Sequence, residues 1–111
     1  MRRQLGQVRP GVTTAVSILS EVRPWEVDLI VICNTTDQPA DFSVYHDSDG
    51  STYDATTALM YQAAINPNDT VHYEPMIPIA NVDGNGNLAV QTDTASALTF
   101  TIYGTLQGDR V

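Results

Sequence analysis

Lysine is absent from the 111-residue sequence, and its five basic residues are therefore all arginines. Three of them, Arg2, Arg3 and Arg9, fall within the first ten positions, whereas all 13 acidic residues lie from Glu21 onward. The result is an acidic body with a basic N-terminal segment and a formal net charge of −8. Because an acidic body repels phosphate backbones, the sequence predicts no nucleic-acid partner.

Cysteine and histidine are also scarce. Cys33 is the single cysteine, which excludes an intramolecular disulfide and a cysteine-based metal cluster. It lies in the apolar run LIVIC, where a free cysteine usually behaves as a small buried hydrophobe, so we predict that it is buried. His46 and His72 are the only histidines, and neither has an obvious nucleophile beside it.

Long apolar runs and catalytic signatures are missing too. No run approaches the roughly 20 residues that a membrane-spanning helix needs, and the basic N-terminus lacks the apolar stretch of an ordinary secretory signal. The sequence contains no G-x-S-x-G, H-E-x-x-H or glycine-rich phosphate loop. We therefore expect no enzyme, no catalytic residue, no cofactor and no membrane partner.

Strand signals are abundant, as short β-branched and aromatic runs bounded by Gly, Pro, Asn and Asp. In residues 26–34, EVDLIVICN, the pattern places Val27, Leu29, Val31 and Cys33 on one face. Ile30 and Ile32 make the other face apolar as well, which indicates a central strand. With residues 40–46, ADFSVYH, this segment predicts a hairpin across TTDQP. Residues 55–65 fit a helix or a strand, and we favour a strand.

The strand pattern predicts an all-β fold, a single antiparallel β-sandwich of the jelly-roll or immunoglobulin-like type with about seven or eight short strands. The sandwich is expected over residues 14–111, preceded by an extended N-terminal arm at residues 1–13. The arm has few apolar side chains and therefore little reason to fold onto itself. The predicted core comprises Leu29, Val31, Cys33, Phe42, Val44, Val90, Phe100 and Ile102.

Three aspartates and a glycine fall within the nine residues 46–54, HDSDGSTYD. Asp47, Asp49 and Ser51 stand at alternate positions, a spacing that resembles the start of an EF-hand calcium loop. The bidentate glutamate that usually ends such a loop is missing, and aspartates in turns commonly bond to their own backbone. We predict a structural turn without a metal, and these three residues are the candidate ligands if a metal does bind.

Aromatic residues near the turns are candidates for a binding surface. An exposed Trp25 beside Tyr45 or Tyr53 would stack on a sugar, whereas a tryptophan that caps the core is the commoner arrangement. We take Trp25 and Tyr53 as the candidates for a glycan or partner contact.

Four segments together resemble the small β-sandwich virion proteins of tailed bacteriophages: LGQVRPGVTTAVSILS, LIVICNTT, DFSVYHDSDGSTYDATTALMY and NLAVQTDTASALTFTIYGTL. The similarity runs along almost the whole chain and consists of strand and turn chemistry. It implies a virion structural protein that is assembled in the host cytoplasm and forms homo-oligomers. Other virion proteins are the implied partners, namely the major capsid protein or neck and tail proteins.

The role expected first from this resemblance is capsid decoration or cementing. Neighbouring subunits would be bound through the sandwich surface and the arm residues Arg2, Arg3, Leu5, Val8 and Arg9. The alternative is a tail, neck or fibre component that binds a receptor or glycan.

Overall fold

The computed structural model describes residues 3–18, 24–47, 52–74, 77–80 and 88–106. These residues contain nine β-strands and no helix. The strands are β1 (Arg3–Val8), β2 (Val16–Ser17), β3 (Pro24–Asn34), β4 (Ala40–His46), β5 (Ala58–Ile65), β6 (Thr70–Tyr73), β7 (Ile77–Ala80), β8 (Leu88–Thr92) and β9 (Leu98–Leu106). The all-β prediction is confirmed, and so is the preference for a strand over a helix at β5.

The strands form two antiparallel sheets. The first sheet has the order β1-β9-β3, with β6 and β7 both paired to the far side of β3, and the second has the order β2-β8-β4-β5. Among the described strands, only β4–β5 and β6–β7 follow each other within one sheet, and every other connection crosses between sheets. This order and alternation define a jelly roll. The predicted single β-sandwich is therefore confirmed, with the jelly-roll topology.

The central strand β3 presents to the core the face opposite to the one predicted. Ile30 and Ile32 are fully buried, whereas Leu29, Val31 and Cys33 are only half-buried. The reason is a bulge, since the pairing of β3 with β9 shifts register between Val27 and Leu29. One extra residue reverses the alternation of inward and outward side chains. The predictions that Leu29, Val31 and Cys33 belong to the core are wrong for this reason, although the central position of β3 is confirmed.

The other predicted core residues are confirmed. Each of them is at most 2% exposed: Phe42, Val44, Val90, Phe100 and Ile102. The rings of Phe42 in the second sheet and Phe100 in the first meet edge to face, with centroids 6.3 Å apart and planes at 71°. This aromatic contact joins the two sheets across the core.

The predicted hairpin between β3 and β4 does not form, because the two strands lie in different sheets. Both strands direct apolar side chains toward the same core. Because the chain crosses from one sheet to the other, each strand buries these side chains from its own side of the core. The local sequence indicates where the chain turns, but each strand pairs with strands that follow later in the sequence. β3 pairs with β9, and β4 pairs with β5 and β8.

A buried asparagine fixes this crossing. The side chain of Asn34 is 1% exposed, and its Nδ2 donates to the backbone oxygens of Gln38 at 2.8 Å and Asn66 at 3.2 Å. Its Oδ1 accepts from the backbone nitrogen of Thr36 at 3.0 Å and from the Thr36 hydroxyl at 2.8 Å. The amide thus joins the β3–β4 connection to the β5–β6 connection and leaves no polar atom of its own unsatisfied.

The N-terminal segment is part of the sandwich. Arg3–Val8 forms edge strand β1, which pairs with β9, and Leu5 and Val8 pack against the core. The prediction that residues 1–13 extend away from the domain is therefore wrong for β1. A register shift between Gln4 and Gly6 helps to turn the few apolar side chains of this strand inward. The sequence did not indicate this, because apolar residues are sparse in the segment.

Gly104 lies in β9 opposite the bulge of β3. A Cβ atom at this position would lie far inside van der Waals contact of the Glu26 carbonyl oxygen and 2.9 Å from the Leu5 Cδ1. Because the first of these neighbours is backbone, the sheet cannot relieve the overlap by moving one side chain.

We expect Gly104→Ala to lower the free energy of unfolding by about 1–3 kcal/mol, since overpacking forces the β3 and β9 backbones apart. Gly11→Ala is the matched control, because the nearest atom to its Cβ would be the Ser96 Oγ at 3.9 Å. Urea unfolding of both variants measures the difference. Equal stability of the two variants would contradict the close approach at Gly104.

Candidate functional site

A polar cleft of about 350 Å³ opens on the outer face of the second sheet. Strand alternation explains its floor, because Phe42 and Val44 of β4 point into the core and Asp41, Ser43 and Tyr45 therefore face outward. Ser43 and Tyr45 are nearly buried within this floor, at 5% and 2% exposed. The cleft is thus built on a strand that the core holds firmly in place.

A bulge in the edge strand β5 shapes one wall of the cleft. Tyr61 and Gln62 together oppose the single residue Ser43, and Gln62 has a positive φ of 50°. Its backbone nitrogen donates to the Ser43 hydroxyl at 2.9 Å. A left-handed non-glycine residue costs on the order of 1 kcal/mol and persists only where its surroundings enforce it. The bulge leaves the Tyr61 side chain 52% exposed at the cleft.

Strand β8 supplies a fixed amide to the opposite wall. Gln91 accepts a short hydrogen bond from the Tyr45 hydroxyl and donates from Nε2 to the backbone oxygen of Thr13 at 2.8 Å. Both ends of the amide are therefore engaged. This arrangement orients Tyr45 and ties the β1–β2 connection to the second sheet.

Two carboxylates line the end of the cleft. The Asp93 Oδ1 accepts from the backbone nitrogen of Asp41 at 2.9 Å and from the Thr94 hydroxyl at 3.0 Å. Within the described ranges, no group donates a hydrogen bond to the Asp41 carboxylate, and none donates to the Asp93 Oδ2. The charged side chains that line the cleft are Asp41 and Asp93, so its field disfavours anions.

The acidic segment that resembled a calcium loop behaves as a turn where it is described. Asp47 accepts from the backbone nitrogen of Thr52 at 2.6 Å, and Asp54 accepts from the hydroxyl and the backbone nitrogen of Thr56. The hydrogen bonds from the side chain and backbone of Thr56 lower the pKa of Asp54. Asp49 and Ser51 lie outside the described residues, and the described part of the chain holds no group of three or more His, Cys, Asp or Glu that could bind a metal.

The two aromatic candidates from the sequence lie in different surroundings. Trp25 pairs through its backbone with Ile79 and Leu106, and its side chain is outside the described part of the protein. Tyr53 is half-buried, and its ring centroid lies 6.3 Å from that of Tyr45. Tyr53 therefore lies beside an aromatic residue of the cleft.

The candidate partner-binding residues of the N-terminal segment separate into two groups. Leu5 and Val8 pack against the core, which removes much of their surface from any partner. Arg3 and Arg9 are exposed, and Arg9 donates to the Thr35 hydroxyl at 3.1 Å. Arg2 lies outside the described residues.

Comparison with known proteins identifies no family. No protein-family model matches the chain, and a search of curated proteins finds no significant match. Within the described ranges, no helix is long and apolar enough to cross a membrane. A jelly roll by itself is compatible with many functions, so the residues of this chain have to be considered together with its fold.

The cleft as a unit was not predicted from the sequence. The alternation of ADFSVYH already placed Asp41, Ser43 and Tyr45 on one face, but nothing local joined them to Tyr61, Gln91 or Asp93. The bulge at Gln62 has no sequence signal, since glycine or asparagine is the usual residue at positive φ.

A titratable histidine lies at the end of β4. His46 is half-buried, and this burial lowers the pKa of its imidazole, while the nearby Asp47 carboxylate acts in the opposite direction. Its folded-state pKa therefore lies below the ordinary value of about 6.5. Burial of the neutral imidazole therefore contributes to the free energy of unfolding. This contribution is fully present above the ordinary histidine pKa and is lost as the pH falls through the lower pKa of the folded state.

As the pH falls from about 7 through the folded-state pKa of His46, protonation of this side chain lowers the free energy of unfolding. We expect His46→Asn to abolish this part of the decrease. His72→Asn is the control, because His72 is exposed. Urea unfolding at a series of pH values measures the slope. A His46→Asn protein with the pH dependence of the wild type would contradict this account.

For the acidic turn, we expect a chelator such as EDTA to leave the melting temperature nearly unchanged, because backbone groups satisfy Asp47 and Asp54. Thermal unfolding with EDTA and with added calcium tests this. A large decrease in melting temperature that calcium restores would show that Asp47, Asp49 and Ser51 form a metal site.

Proposed function

We propose that the protein is a structural component of a tailed-bacteriophage virion, and specifically a capsid decoration or cement protein. The observation that carries the proposal is the jelly-roll strand order, since viral capsid proteins are among the proteins built on this fold. The resemblance of four sequence segments to small phage virion proteins supports it independently. Assembly would take place in the host cytoplasm.

The charge distribution supports binding between subunits. Arg3 and Arg9 lie at the two ends of edge strand β1 and are exposed, whereas all 13 acidic residues lie elsewhere in the sequence. A basic edge on an otherwise acidic protein is complementary to the acidic surface of a second copy or of a capsid subunit. We therefore propose the β1 edge and the sandwich surface next to it as the contact with neighbouring virion proteins.

The backbone of β1 adds a second attraction. Among the described strands, β1 pairs with β9 alone and is therefore an edge strand of the first sheet, and edge strands are common sites for pairing with another chain. The register shift between Gln4 and Gly6 interrupts this edge and so disfavours unlimited strand addition. A specific neighbour that fits the bulged strand is compatible with both features.

The alternative role is a tail, neck or fibre component that binds a receptor glycan. The surface first considered for it was Trp25 with Tyr53, and the Trp25 side chain lies outside the described part of the protein. Among the described surfaces, the cleft at Tyr61 fits this role better.

The test begins with purified particles of the phage that encodes the protein. Mass spectrometry of these particles is expected to find the protein in many copies. Cryo-electron microscopy is expected to show it at symmetric positions on the head. Absence of the protein from purified particles would contradict the virion assignment, and density at the neck or tail would contradict decoration.

The proposed contact is tested with particles assembled without the protein. We expect purified protein to bind back to them, and Arg3→Gln combined with Arg9→Gln to weaken binding several-fold at low salt. Arg23→Gln combined with Arg110→Gln is the control, because it also removes two positive charges but at other places in the sequence. Wild-type binding by the double variant would show that the β1 edge makes no contact.

A further inference from the structure

We propose that the cleft on the outer face of the second sheet binds a neutral saccharide, which stacks on Tyr61. The inference does not depend on the virion assignment, because it rests on the lining of the cleft alone. Among the described residues, neither strand β1 nor the acidic segment 46–54 contributes a residue to this cleft.

The size of the cleft suits a small ligand. Its volume of about 350 Å³ is near the lower end of the roughly 300–1,000 Å³ typical of small-molecule sites. It suits a mono- or disaccharide, or the end of a longer glycan, better than a bulky cofactor.

Tyr61 offers the apolar surface that a sugar ring requires. It is 52% exposed on an edge strand, so its ring remains in contact with water unless a ligand covers it. The positive φ of Gln62 and its bond to Ser43 hold the bulge that directs this ring. The site therefore has an aromatic platform that is in place before a ligand arrives, which reduces the entropy cost of binding.

The polar lining matches a polyhydroxylated molecule. A sugar hydroxyl both donates and accepts, and the cleft presents carboxylate acceptors in Asp41 and Asp93 beside the Gln62 amide, which can do both. Within the described part of the chain, the Asp41 carboxylate and the Asp93 Oδ2 accept no hydrogen bond, so ligand hydroxyls can donate to them without breaking a described bond. By contrast, the Gln91 amide is already engaged and serves to position Tyr45.

The charge of the lining decides between ligand classes. No arginine or histidine is among the described residues that line the cleft, and the two carboxylates there disfavour sulfated, phosphorylated or sialylated ligands. An amine would pair with the carboxylates, but an ammonium group only donates hydrogen bonds. It would therefore offer no acceptor to the amide donor of Gln62. A neutral sugar uses the carboxylates, the amide and the ring together.

Saturation-transfer-difference NMR on the whole protein tests the proposal with methyl glycosides of glucose, galactose, mannose and N-acetylglucosamine, and with their disaccharides. We expect transfer to at least one of them at millimolar concentration, with a Kd that Tyr61→Ala raises about tenfold or more. Tyr61→Phe should retain binding, because it keeps the ring. Leu59→Ala is the matched control, since Leu59 is 37% exposed on the same strand and does not line the cleft.

Melting curves of all three variants establish that any loss of binding is not a loss of folding. The proposal would be overturned if no saccharide shows saturation transfer, or if Tyr61→Ala and the wild type bind with equal affinity. It would also be overturned if a cationic probe such as butylamine binds at the cleft while no saccharide does. None of these results bears on whether the protein is found in virus particles, so the two proposals fail separately.

Discussion

The side-chain amide of Asn34 holds together the end of the sandwich at which the chain crosses from β3 to β4. It bonds to its own connection through Thr36 and Gln38, and to the β5–β6 connection through Asn66. A buried hydrogen bond contributes only about 1 kcal/mol net, but a buried polar group that loses its partner costs about 1–3 kcal/mol. Because this one buried amide bonds through both its nitrogen and its oxygen, the arrangement depends on both of its ends being present.

The rest of this end is organised around the same crossing. The backbone nitrogen of Asn34 donates to the oxygen of Asp69, and that of Asn68 donates to the oxygen of Thr36, so the two connections are joined twice more. Thr35 bonds to Ala97, which brings the β8–β9 connection into contact with them. These bonds fix the connections between the two sheets at this end, and the outward residues of β4 form the floor of the cleft.

Sequence periodicity predicted the strands well and their surroundings less well. Phe42 and Val44 were placed in the core because ADFSVYH alternates without interruption on that face. The same reasoning failed for Leu29, Val31 and Cys33, since β3 is apolar on both faces and a one-residue bulge exchanges them. It also missed β1 as part of the sandwich, because its inward side chains were few. For the cleft, the alternation of β4 already indicated the residues of the floor, whereas Tyr61 and Asp93 are brought beside them only by pairing between strands that are distant in sequence.

Substitution of Asn34 by aspartate tests the central role of its amide most directly. The carboxylate has nearly the same shape but has no Nδ2 donor, and it would face the backbone oxygens of Gln38 and Asn66. Asn66→Asp is the control, because this side chain is exposed and contributes its backbone oxygen to the contact. In urea unfolding at neutral pH, we predict a loss of about 3 kcal/mol or more for Asn34→Asp, or failure to fold. Stability of Asn34→Asp within about 0.5 kcal/mol of the control, the range of ordinary surface substitutions, would contradict the account.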